Sequence, residues 1–94
     1  MENVIQTLFQ TIEERKLNPT PNSYTASLFE MGEDEILKKI GEEAVEVIIA
    51  AANQGDERVV SEMADMLYHC LVLLVARGLQ WEDIETELAS RFKQ

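Results

Sequence analysis

An all-α fold is what this sequence predicts, and three observations carry that expectation. Apolar residues recur at helical spacing, no stretch alternates apolar and polar residues with the two-residue period of a strand, and breakers are few, four glycines and two prolines in 94 residues. Val4, Ile5, Leu8, Phe9 and Ile12 follow Asn3, a suitable N-cap, and predict a first helix ending near Lys16. The proline-bearing stretch from Leu17 to Asn22 breaks it. Ser23 caps a short helix from Tyr24 to Met31, which Gly32 stops. A long helix is expected from Glu33 to Asn53, with Glu33, Asp34 and Glu35 at its positive end. Gln54, Gly55 and Asp56 form the turn, and Asp56 is read as the N-cap of a helix from Glu57 to Arg77 that Gly78 ends. The last helix covers Trp81 to Phe92, and the size of the chain makes residues 1–94 a single domain.

The two long helices hold the functional content. Projected at about 100° per residue, Ile36, Leu37, Ile40, Ala44, Val47, Ile48 and Ala51 form one apolar face of the first, and Val45, Ile49 and Ala52 a second face opposite. Lys39, Glu42, Glu43 and Glu46 run between those faces. In the second, nearly everything from Val59 to Ala76 is apolar except a stripe of Glu62, Asp65 and His69, with Ser61 and Tyr68 beside it. Helices this apolar are buried on several sides, and so short a chain cannot surround two of them. The expected assembly is therefore a homodimer in which an antiparallel helix hairpin with flanking helices completes a four-helix-bundle-like core.

Charge and cysteine content exclude several classes. Eighteen acids against eight bases give a net charge of -10, spread over both halves of the chain, which argues against nucleic acid and anionic membranes as partners. The N-terminal stretch lacks the basic and apolar regions of a secretory signal, and the longest apolar run, Cys70 to Ala76, is far short of a membrane span. A lone cysteine, Cys70, points to a reducing compartment, and a cytoplasmic location is expected.

The acids themselves are patterned. Glu43 and Glu46 lie on adjacent turns of one long helix, and Glu62 and Asp65 on adjacent turns of the next. Folding the chain back at residue 54 sets Glu46 level with Glu62 and Glu43 level with Asp65, a square of carboxylates with Glu42 at its rim. Like charges this close are relieved by raised pKa values or by a bound cation. Carboxylates without a thiolate suit a hard ion, Mg²⁺ or Mn²⁺ rather than Zn²⁺, and Mg²⁺ typically shares its coordination with substrate phosphates. Phosphate-bond chemistry is the leading inference; a solvated acidic face is the plainer alternative.

The run from Lys38 to Glu46, KKIGEEAVE, followed by Glu62-Met-Ala-Asp65, resembles the EExxE…ExxD pattern of the all-α, MazG-like nucleotide pyrophosphohydrolases. Together with Ser23-Tyr24-Thr25, ADMLYH and LVLLVARG, it is similar to the phosphoribosyl-ATP pyrophosphatase family in particular. The resemblance implies Mg²⁺-dependent hydrolysis of 1-(5-phosphoribosyl)-ATP to 1-(5-phosphoribosyl)-AMP and pyrophosphate, the second step of histidine biosynthesis. It implies Glu43, Glu46, Glu62 and Asp65 as metal ligands, and Glu42 as a further ligand or the group that positions the attacking water. Lys38 and Lys39 are candidates for the departing pyrophosphate, against ordinary pairing with Glu42 and Glu43. Ser23, Tyr24 and Thr25 are candidates for ribose or phosphate contact, against a simple helix cap. His69 is either a core residue or a support for the acids. Arg15 and Lys16 either reach the substrate or balance Glu13 and Glu14. Some proteins of this family are fused to the cyclohydrolase of the following step; for this chain, coupling to a separate phosphoribosyl-AMP cyclohydrolase is the expectation. Two rivals are a house-cleaning nucleoside triphosphate pyrophosphohydrolase and a non-catalytic helical dimer module.

Overall fold

The structure, a computed structural model, describes residues 3–92. Five helices follow in order, α1 (Val4–Leu17), α2 (Tyr24–Met31), α3 (Glu33–Asn53), α4 (Asp56–Ala76) and α5 (Trp81–Arg91), with no strand among the described residues. The expected caps of the first two are present. Asn3 accepts from the Gln6 N–H and Ser23 from the Ala26 N–H, each at 3.0 Å.

Both tight connections around α3 depend on glycine. Gly32 (φ 101, ψ 174) and Gly55 (φ 91, ψ 170) occupy a backbone region essentially closed to residues with a Cβ. Asp56 therefore does not cap α4. It is the first helical residue, Gly55 holds the cap position without a side-chain bond, and Asp56 and Glu57 instead face the helix dipole. The start of α5 carries a capping box, Gln80 with Asp83, which the sequence reading did not single out.

The core lies where α1 and α2 lean on the hairpin of α3 and α4. Phe9, Ile12, Leu28, Ile36, Leu71 and Val72 are all but inaccessible, with Val75 at the edge. Lys16 closes this end, its Nζ 3.5 Å from the Val75 carbonyl oxygen and 5.9 Å from the centre of the Phe29 ring, so the basic pair on α1 caps α4 through Lys16. Trp81 packs against the same cluster and attaches α5, which has no buried residue of its own.

The hairpin's own seam is rotated from the apolar faces read off the sequence. Its protected positions on α3 are Ile36, Ile40, Glu43, Val47 and Ala50, of which Ala50 is fully buried, whereas Leu37, Ile48 and Ala51 of the expected face are exposed. On α4 the corresponding line is Val59, Glu62, Met66, His69 and Leu73. Spacings of three and four are those of helices packed at a shallow angle, and they put Glu43, Glu62 and His69 inside the seam. Toward the turn the apolar surface is left open, with Ile48 at 67% and Val60 at 70% exposure and Val45, Ile49 and Met63 also exposed. The whole chain shows it. Its accessible surface is 6613 Å², against about 5,500 Å² for a self-contained protein of this mass.

One helix, α4, is long and apolar enough to cross a membrane, although no continuous apolar run in the chain has that length. This helix packs on α1 and α3, and Glu62, Asp65 and His69 interrupt its apolar sequence.

Candidate metal centre and nucleotide site

Because α3 and α4 run antiparallel from the turn at residues 54–55, acids of one helix come together with acids of the other. One carboxylate oxygen from each of Glu43, Glu62 and Asp65 lies within 4.8 Å of the others, with Glu62 buried, Glu43 half-buried and Asp65 exposed. Glu46 stands beside Glu62 but outside this tight group, and Glu42 is on the exposed side of α3. Oxygens bound to Mg²⁺ at about 2.1 Å are about 3 to 4.2 Å apart in an octahedron, so the three acids need only close slightly around such an ion.

Glu62 reports the electrostatics of the cluster. Burial, above all, pushes its carboxyl above the ordinary value; Arg58 pulls it back, and the neighbouring Glu46 and Asp65 push it up again. The Arg58 Nη2 donates to Glu62 Oε2 at 2.8 Å from one turn earlier on α4. Arg58 was missed from the sequence, where the i,i+4 spacing to Glu62 was available as a signal. A buried acid with a single arginine and two acidic neighbours is short of positive charge, the condition a divalent cation relieves.

Lys39 pairs with Glu42, Nζ to Oε1 at 3.5 Å, rather than with Glu43. Glu42, followed by the Tyr24 phenol, raises the Lys39 ammonium above its usual range. Lys38 is exposed and points to no described ion pair. Ser23 acts as the cap of α2, as its plainer reading has it.

The rest of the Ser23-Tyr24-Thr25 segment is tied to α4. Tyr24 Oη is 2.9 Å from His69 Nε2, Thr25 Oγ1 is hydrogen-bonded to Tyr68 Oη, and His69 Nδ1 is 2.8 Å from the main-chain oxygen of Asp65. His69 is thus both a satisfied buried residue and a link between α2 and the turn of α4 that carries Asp65. Burial raises the Tyr24 phenol most; Lys39 lowers it, and Tyr68, Glu43 and Glu35 raise it further, so Tyr24 lies within reach of the charges on α3. Burial likewise raises Tyr68 and the Cys70 thiol, which suits packing rather than reactivity.

An antiparallel helix pair with a carboxylate cluster in its seam defines an all-α protein with a candidate divalent-cation centre. The particular family follows from comparison with known proteins. Residues 5–92 match the model of the phosphoribosyl-ATP pyrophosphohydrolases, and the chain belongs to that family. It is 58% identical over 91 residues to the phosphoribosyl-ATP pyrophosphatase of Bacillus cereus (strain AH820), covering 97% of this chain and 85% of the relative. The enzymes of the same name from Bacillus thuringiensis (strain Al Hakam) and Bacillus mycoides (strain KBAB4) are 57% and 54% identical with the same coverage.

Proposed function

We propose that the chain, acting as one domain, hydrolyses 1-(5-phosphoribosyl)-ATP to 1-(5-phosphoribosyl)-AMP and pyrophosphate, the second step of histidine biosynthesis. The observation that carries the reading is the convergence of Glu43, Glu62 and Asp65 between α3 and α4 in a member of this family. Glu43, Glu62 and Asp65, with Glu46 completing the set, hold Mg²⁺, or Mn²⁺ in its place. When bound, the ion neutralises phosphate charge and makes phosphorus more electrophilic.

The chain's own residues do the remainder. Glu42, next to Glu43 on α3, orients the attacking water and takes its proton. Lys39, held near Glu42, offers its ammonium to the departing pyrophosphate, and Lys38 adds charge at the rim. Ser23 and Thr25 position the start of α2, whose free N–H groups favour an anion.

The active form is a homodimer. Its support is the open apolar end of the hairpin, Val45, Ile48, Ile49, Val60 and Met63, which a second copy covers while supplying the missing half of a four-helix core. The reaction belongs to the cytoplasm, and its product passes to a separate phosphoribosyl-AMP cyclohydrolase. Pyrophosphate release measured from phosphoribosyl-ATP and a panel of nucleoside triphosphates, with Mg²⁺ and with chelator, tests the proposal. Metal-dependent release from phosphoribosyl-ATP is expected; a preference for plain triphosphates makes the chain a house-cleaning enzyme, and release without metal removes the cation centre.

A further inference from the structure

Gly41 stands inside α3, eight residues from its start and twelve from its end, where glycine is the poorest helix former after proline. Nothing within this chain requires it there. It lacks the positive φ of Gly32, Gly55 and Gly78, and a Cβ at this position would meet nothing within 4 Å. The absent side chain leaves room for something outside the chain.

Its neighbours on the helix surface show the shape of that room. Leu37, Gly41, Val45, Ile48 and Ala52, spaced by four, four, three and four, form one line along α3, about 22 Å long at 1.5 Å per residue. All five are exposed, Leu37 at 46% and Val45 at 54%, and the line carries no charge. The side of α3 that packs on α4 and α2 holds Ile36 and Ala50 instead.

A nucleotide held by the acids does not fill this space, since Glu43 lies two residues, about 200°, round the helix from Gly41. A second copy of the chain does. The chain exposes about 1,100 Å² more than a self-contained protein of its mass, and a standard interface covers about 800 Å² of each partner. Val45 and Ile48 already belong to the open end assigned to that copy, and the line continues from them by about two turns to Leu37. We propose that a helix of the second copy lies along this line and crosses α3 at Gly41, where the absent side chain lets the two backbones approach closely. The inference rests on the homodimer proposed above and extends its contact along α3.

Sedimentation equilibrium of the wild type, Gly41→Ala and Gly41→Leu over a dilution series, with the helix signal in circular dichroism, tests it. Alanine and leucine both favour helix over glycine, so a position facing only water gives dimers as tight as the wild type's or tighter. The crossing gives the reverse. Alanine is expected to raise the dimer Kd about tenfold, the scale of overpacking a close contact, and leucine to raise it further, each with an undiminished helix signal. A Kd within about twofold of the wild type's in both variants overturns the proposal, even where activity changes. So does a Kd raised only with loss of the helix signal. A wild type that stays monomeric overturns the homodimer and this inference together, whereas a dimeric wild type with equally tight variants overturns the crossing alone.

Discussion

The two ends of the α3 and α4 hairpin are built from similar residues and behave differently. At the end reached by α1 and α2, Ile36, Leu71 and Val72 are sealed by Phe9, Ile12 and Leu28. At the turn end, Val45, Ile48, Val60 and Met63 are as apolar and largely bare. The carboxylate cluster sits between, with Glu62 buried in the seam and Asp65 exposed. Composition alone therefore does not decide burial; the number of elements that reach each end does. The site lies where a sealed core gives way to an open apolar surface.

The largest expected effect falls on the boundary itself. Glu62→Gln should lower metal-dependent pyrophosphate release about a thousandfold, the several kcal/mol of charge stabilisation a bound cation supplies; a loss below tenfold in a steady-state assay would remove Glu62 from the ligand set. Next, the sealed end: Leu71→Ala should destabilise the protein by about 3 kcal/mol in urea unfolding, since its fully buried side chain leaves a cavity. The open end answers differently to the same kind of truncation. Ile48→Ala is expected to weaken dimerisation, seen as a concentration-dependent monomer fraction in sedimentation, while changing the stability of the monomer by less than about 0.5 kcal/mol. A chain that stays monomeric at high concentration before any substitution would erase the contrast.

Glu62 also gives a pH signature. Its carboxyl is raised above 4.5, chiefly by burial. A raised folded value means a contribution to stability present below pH 4.5 and lost as pH rises through the elevated value. In chelator, the wild type should thus lose stability relative to Glu62→Gln as pH rises from 4.5, and melting curves of both proteins across that range check it. The smallest effect is at the rim. Lys39→Gln should leave the melting curve essentially unchanged, because its pair with Glu42 is solvent-exposed.

Much of this was legible in the chain. Helical periodicity, Ser23 as a cap and the breaks at Gly32 and Gly55 placed the helices, because those signals are local. Counting residues either side of the turn set Glu43 level with Asp65 and Glu46 level with Glu62, since antiparallel helices of equal rise keep register; Glu43, Glu62 and Asp65 converge, while Glu46 stands beside Glu62 outside that group. Other features were not legible, for stated reasons. Asp56 looked like a cap because its side chain suits one, but the positive φ at Gly55 moved the cap back by one residue. Ala50 was not read as core, as a small side chain carries little hydrophobic signal, and only close approach of α4 buries it.

The sequence by itself determined the all-helical class, the order of the helices, the acid register and the family, all of which depend on spacing along the chain. Tertiary structure alone decided which apolar faces are covered and that His69 joins Tyr24 to the Asp65 backbone. Those depend on helix rotation about the seam, and a shift of one position, about 100°, exchanges a buried side chain for a solvated one.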